Sequence, residues 1–328
     1  MLKNLAIPVA AVVTAAVLAG PARAEYPEKP VTIVSPYGAG GNADLAARSL
    51  AAVADKYLGK EVLVVNKTGA GGVTGSSYVL ESKTDGYTLL LARVGSQAVR
   101  PAMDASTPYK WNDFTIIGMI ELNPFVCVVT SDSPIKDFND LTRILKQKPG
   151  SLNYASTSVM DATVVFPVTI FRNLGLGPDA AIKVPYQGGG AALTAVIGKQ
   201  VDFGCNGIAP YASGLKGGTL RALVVSTKER VPEAPNTPTA VEVNMPNLEV
   251  VSGWSALYGP GNLPKAVVDK WTNVLAKVSK DDEWVSLVKK RGSIPAIWGP
   301  QETSTFVQSQ FTTFRDMATK LGVFKQKK

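Results

Sequence analysis

The chain has 328 residues, 45% of them hydrophobic and 18% charged, with a formal net charge of +8, two cysteines and no histidine. The absence of histidine removes Ser-His-Asp and Cys-His nucleophile activation, histidine general bases and histidine metal sites. The excess of basic residues is dispersed, and no basic stretch interleaved with aromatics marks a nucleic-acid surface.

Residues 1–24 carry Lys3 at the front, an apolar run over 5–18, and Ala22-Arg23-Ala24 at the end. That is the pattern of a secretory signal peptide with a small-x-small cleavage site, and it places the start of the mature chain at Glu25. No cysteine follows the site, so lipid anchoring is not indicated, and the apolar run is too short for a spanning helix. Loss of Lys3 and Arg23 lowers the net charge of +8 by two. The remainder, about three hundred residues, is long enough for two ordinary domains.

The first structured stretch is the most informative. Residues 31–34 form a short β-branched run suited to a buried strand. Tyr37-Gly38-Ala39-Gly40-Gly41 then breaks any regular pattern. From Asn42, apolar residues at 46, 50, 53 and 57 recur at helical spacing, with Asn42 placed to cap the helix. A glycine turn opening onto a helix N-terminus gathers free backbone N–H groups and the positive end of the dipole, which suits an anion. The turn matches neither GxxxxGK[ST] nor GxGxxG, so phosphate is weakly supported, and a tight connection without a ligand is equally compatible.

The alternation continues. Residues 62–65 read as a strand, 66–72 as a second glycine turn, 74–82 as a helix, and 87–92 as a strand after Asp85-Gly86. Arg93 follows that strand, where a solvated surface arginine is the simpler reading and a cleft-facing one the sharper. Apolar runs at 116–119 and 125–130 precede a helix at 137–145. A strand at 152–155 leads to Ser156-Thr157-Ser158, which can cap a helix or bind a ligand oxygen. Further strands fall at 201–205 and 220–226, a helix at 191–198, a proline-rich connection at 230–245, an apolar run at 254–258, and helices at 267–278, 283–289 and 301–321. Such alternation favours an α/β fold with a largely parallel sheet. Cys127 and Cys205 lie in apolar runs and are read as buried free thiols, although export makes a disulfide chemically possible.

Taken together, the motifs resemble the Bug family of periplasmic solute receptors of tripartite tricarboxylate transporters. They are Tyr26-Pro27-Glu28-Lys29-Pro30, Gly40-Gly41 with Asp44, Asn66 with Gly69-Ala70-Gly71-Gly72, and Asp85-Gly86-Tyr87-Thr88. Tyr154-Ala155-Ser156, Val184-Pro185-Tyr186 with Gly188, Pro235 with Pro238-Thr239, and Trp254 leading to Gly259-Pro260 complete the series. Their order and spacing over the whole mature chain make the resemblance specific.

The resemblance implies a two-lobed α/β Venus-flytrap of the type II periplasmic binding-protein class. Residues 25–122 and 254–328 would form the first lobe and 123–253 the second. The chain would cross between them near 121–125 and 250–259. It also implies a small carboxylate ligand, a dicarboxylate or an aromatic acid among the options, gripped between the lobes and passed to membrane permease subunits by a monomer. No cofactor, metal or catalysis is implied. By position, the first clamp is Tyr37, Gly38, Ala39, Gly40, Gly41, Asn42 and Asp44. The second is Ser156, Thr157 and Ser158, with Tyr186, Gly188, Asp202 and Asn206 on the far wall and Arg93 available for a second carboxylate.

Two departures stand out. Asn42-Ala43 replaces the residue followed by Ser or Thr that is often found after Gly41, and Thr157-Ser158-Val159-Met160-Asp161 replaces SxGxG, which points to side-chain donors in the second clamp. Asp161 would repel a carboxylate, so it faces away or recognises a donor group. The alternatives are a receptor presenting its ligand to a sensor kinase, and a secreted α/β enzyme acting on a carboxylate or ester.

Overall fold

The computed structural model describes residues 26–321; the signal-peptide reading of residues 1–24 and the basic tail at 325–328 lie outside them. In chain order the first elements are β1 (Val31–Ser35), α1 (Asn42–Leu58), β2 (Val62–Asn66), α2 (Val73–Leu80), β3 (Thr88–Arg93), α3 (Arg100–Met103), β4 (Thr115–Asn123) and β5 (Phe125–Thr130). There follow α4 (Phe138–Gln147), β6 (Asn153–Ser156), α5 (Ala162–Asn173), β7 (Ile182–Pro185), α6 (Gly189–Ile197), β8 (Phe203–Gly207), α7 (Ala212–Lys216) and β9 (Leu220–Val225). The chain ends with β10 (Gly253–Gly259), α8 (Lys265–Val278), α9 (Asp282–Lys290), β11 (Ile294–Trp298) and α10 (Pro300–Leu321).

The strands form two sheets, in the orders β11-β4-β10-β3-β1-β2 and β7-β6-β8-β5-β9. Each is mixed. In the first, β1 is parallel to β2 and β3, while β10 runs antiparallel to β3 and β4. In the second, β6 is parallel to β7 and β8, while β5 runs antiparallel to β8 and β9. The expected largely parallel sheet is therefore corrected. The strands that pass between the sheets enter each from its far end, and a returning strand can only pair antiparallel with those it joins.

Each sheet has its own helices, giving a two-lobed α/β fold. Apolar residues at helical spacing bury one face of α1, including Leu50 and Val53, against Trp271 and Val274 of α8 and Trp284 of α9. Gly59 ends α1 in a left-handed conformation that costs a residue without a Cβ little. The lobes are joined at Pro124, which separates β4 from β5, and by the run that enters β10. Gly253 lies opposite Asn123, where an added Cβ would sit 3.0 Å from the Asn123 carbonyl oxygen.

Cys127 and Cys205 are cross-strand partners on β5 and β8, and their sulfurs are bonded. The free-thiol reading is corrected: two apolar runs that look independent in sequence are brought side by side by antiparallel pairing. No helix among the described residues is long and apolar enough to cross a membrane.

The lobes touch through their glycine turns. The Gly38 amide donates to the Gln187 carbonyl at 3.0 Å. A Cβ at Gly38 would collide with that carbonyl, and one at Gly190 with the Ala39 carbonyl. At Gly41 and Gly188 added Cβ atoms would sit 2.9 Å from the Gly189 nitrogen and 2.7 Å from the Gly38 nitrogen. Backbone meets backbone, and side chains would hold the lobes apart.

Two outcomes are expected. Thiol titration of the unfolded, unreduced protein should find no free thiol, and reductant should lower the urea-unfolding free energy by about 2–4 kcal/mol; two titrating thiols would refute the bridge. Gly190→Ala should leave the melting temperature of the unliganded protein unchanged or raised, because alanine is the better helix former. Its radius of gyration by X-ray scattering should nonetheless increase. An unaltered scattering profile would show that the glycine contact does not hold the lobes together.

Candidate ligand cleft

Between the lobes lies a narrow cavity of about 30 Å³, walled by residues of both sheets. Its chemistry begins with strand register. Arg93 at the end of β3 lies opposite Ser255 of β10, which lies opposite Glu121 of β4. The three form a row across one face, and Asn123, two residues beyond Glu121, returns to that face by the two-residue repeat of a strand. Arg93 is only 5% exposed, so the surface reading of this residue is corrected.

Its Nη1 donates to Asn123 Oδ1 and, at 2.7 Å, to Ser255 Oγ. Asn123 Nδ2 in turn donates to Glu121 Oε1 (3.0 Å) and Ser293 Oγ (2.7 Å). Glu121 is itself held by Arg291 at 3.0 Å. Burial pulls the Arg93 guanidinium down to about 10, with Glu121 opposing the shift. No carboxylate among the described residues lies within ion-pair distance of Arg93, which lines the cavity.

The N-termini of α1 and α6 also open here, represented in the wall by Ala43 and Gly189. Neither helix has a side-chain cap. Their first-turn amides have no partner within the helix, and each end carries about half a positive charge. Asn42 does not cap α1 as expected, because Gly41 holds the cap position. Asn42 instead reaches across the cleft and donates from Nδ2 to Asn206 Oδ1 at 3.1 Å. This leaves Asn42 Oδ1 and Asn206 Nδ2 buried without partners, an acceptor and a donor side by side.

The third helix end facing the cavity, α5, differs. Asp161 caps it, accepting from the Thr163 amide at 2.9 Å and from the hydroxyls of Thr157 and Thr163. Asp161 is 2% exposed, and burial raises its carboxyl above the usual range despite those hydrogen bonds.

Of the residues singled out in the sequence, Tyr37, Asn42, Arg93, Thr157 and Asn206 meet in the cavity wall. Tyr37, whose hydroxyl donates to the Gly71 carbonyl at 3.0 Å, also borders a neighbouring groove with Thr157, Ser158 and Tyr186. Gly38, Ala39, Gly40, Gly41 and Gly188 belong to the contact between the turns. Asp44 braces its turn: burial pushes its carboxyl up, but hydrogen bonds from Arg48, Gly40 and Asn66 hold it below its ordinary value. Ser156 is fully buried, donating to the Ser158 carbonyl at 2.9 Å, and Asp202 pairs with Asn153 at the exposed edge. Trp254, which opens the motif leading to Gly259-Pro260, is buried in the core. Thr163, Phe125 and Gly95 were not anticipated. For Thr163 a signal existed, since Asp161 two residues before it is a strong cap.

The family model described as "Tripartite tricarboxylate transporter family receptor" matches residues 46–323. A UPF0065 protein of Agrobacterium vitis is 32% identical over 290 residues, 88% of this chain and 82% of its own length. The structure of the periplasmic binding protein BugD superposes with a TM-score of 0.86 at 29% identity, covering 92% of this chain and 100% of its own. MatC from Rhodopseudomonas palustris, with bound malate, gives 0.83 at 25% identity over 89% of this chain and 100% of its own. The chain belongs to the tripartite tricarboxylate transporter receptor family, whose members are periplasmic solute-binding proteins.

Proposed function

We propose that this protein captures a small carboxylate between its lobes in the periplasm and delivers it to the membrane permease subunits of a tripartite transporter. The observation that carries this reading is the anion-seeking side of the cavity. It has a buried guanidinium with no carboxylate in contact and two uncapped helix N-termini. A carboxylate there would accept charge-assisted hydrogen bonds, each contributing about 1.5–3 kcal/mol net. The malate bound by MatC supports an organic acid as the ligand class.

Closure would turn on the two crossings, at Asn123-Pro124-Phe125 and on entry to β10, with residues 25–122 and 254–328 moving against 123–253. Residues 1–24 act as the export signal. Presentation of the ligand to a sensor kinase would use the same cavity. An enzymatic role has less support in a chain without histidine.

A thermal-shift panel of aliphatic and aromatic carboxylates on refolded, ligand-stripped protein tests the class, since ligand at a hundred times its dissociation constant adds about 2.7 kcal/mol. Arg93→Met should weaken the best carboxylate by about 30-fold or more in titration calorimetry, the loss typical of a buried charge-pair partner. Unchanged affinity in a variant that still melts cooperatively would restrict Arg93 to bracing the crossing.

A further inference from the structure

The cavity holds two buried charges of opposite sign, and each is hydrogen-bonded only by neutral groups. Arg93 is held by Asn123 and Ser255, and Asp161 by Thr157 and Thr163. Among the described residues, neither lies within ion-pair distance of a countercharge, whereas the neighbouring Glu121 is paired with Arg291. Buried ions are ordinarily paired, because desolvation costs several kcal/mol per ion. Both line one cavity on opposite lobes, Arg93 at the end of β3 and Asp161 at the head of α5.

Asp161 also fills the α5 N-terminus from within. The Thr163 amide and two hydroxyls that a ligand carboxylate would seek there already serve Asp161, and a second ligand carboxylate would meet a like charge. A cationic or strongly donating group would not. The unpartnered Asn42 Oδ1 and Asn206 Nδ2 add one more acceptor and one more donor in the residues that line the same cavity.

We infer that the ligand is a zwitterionic amino carboxylate, its carboxylate on Arg93 and its ammonium on Asp161. This rests on the carboxylate-receptor reading and narrows it: Asp161 is the residue that selects an amine over a second carboxylate.

Titration calorimetry on matched pairs tests it. The pairs are succinate with β-alanine, glutarate with 4-aminobutyrate, malate with 3-amino-2-hydroxypropanoate, and benzene-1,4-dicarboxylate with 4-(aminomethyl)benzoate; propanoate, butanoate and benzoate serve as single-carboxylate probes. In the pair of the fitting length, the amine should bind at least about tenfold tighter than its partner, and Asp161→Asn should abolish that preference. Asparagine keeps an oxygen for the Thr163 amide, and Asp161→Ser, also a good cap, supplies a second variant should the first fail to fold. Tighter binding of the partner acid in every pair, or an amine preference that survives both substitutions, would overturn the inference while leaving the carboxylate reading intact. Binding of the single-carboxylate probes with no gain from an amine would do the same. No binding by any compound would overturn both.

Discussion

The arrangement of the cleft depends on how one guanidinium is held out of water. Arg93 is buried, and its hydrogen bonds go to an amide and a hydroxyl rather than to an acid. Those two partners sit on the strands that carry the chain between the sheets: Asn123 ends the outgoing β4 and Ser255 lies on the returning β10. The charge is thus fastened to both crossings at once. Glu121, which would neutralise Arg93 if it reached it, is diverted to Arg291 and touches the arginine only through Ser255 and Asn123. The strand register that sets Arg93, Ser255 and Glu121 in a row therefore positions the cation while leaving its outer face unpaired.

The second constraint is the distance between the turns at 37–41 and 187–190. Helix N-termini influence an anion only over a short range, because the dipole's effect falls off within the first turn. The ends of α1 and α6 act together only if their preceding turns approach backbone to backbone. Glycine at 38, 41, 188 and 190 permits that approach, and the Gly38–Gln187 hydrogen bond joins the lobes beside the cavity. The glycine-rich sequence thus serves the meeting of the lobes as well as the anion. A β-branched residue at Gly41 would act first by wedging the lobes apart, since its Cβ would press on the Gly189 nitrogen.

Much of this was legible in the sequence because it is local. The β-branched run, glycine turn and helical spacing placed β1 and α1, and the apolar periodicity of the C-terminal segments placed α8, α9 and α10. What escaped was set by partners distant in the chain. Asn42 reads as a cap until Asn206, far along the sequence, supplies its hydrogen bond. Arg93 after a strand reads as a surface residue until β4 and β10 close over it. Ser156 reads as a cap or a ligand donor, yet Asp161 is the stronger cap and takes the helix end, so α5 begins later than a serine-capped helix would. The Cys127–Cys205 bond and the antiparallel members of both sheets follow from pairings that no run of residues encodes alone. The helical run before Asp104, where the π-helical segment Gly95–Val99 passes into the short α3, departs from the 3.6-residue spacing by which a helix is read.

A receptor of this kind must gain more from its ligand with the lobes together than apart, since a ligand shifts an equilibrium only through differential affinity. The two unpaired charges supply a source for that difference. With the lobes apart, Arg93 and Asp161 would face water and be solvated. With the lobes together and nothing between them, both sit in a low dielectric without a countercharge, a state burial disfavours. A ligand carrying matching charges removes the penalty at both ends, one on each lobe, and so stabilises the closed arrangement through the same contacts by which it is recognised. A ligand with only one matching charge offsets only half of it. Selectivity and closure then have one physical origin in this cavity, the pairing of Arg93 and Asp161 through a molecule that neither lobe can bind fully alone.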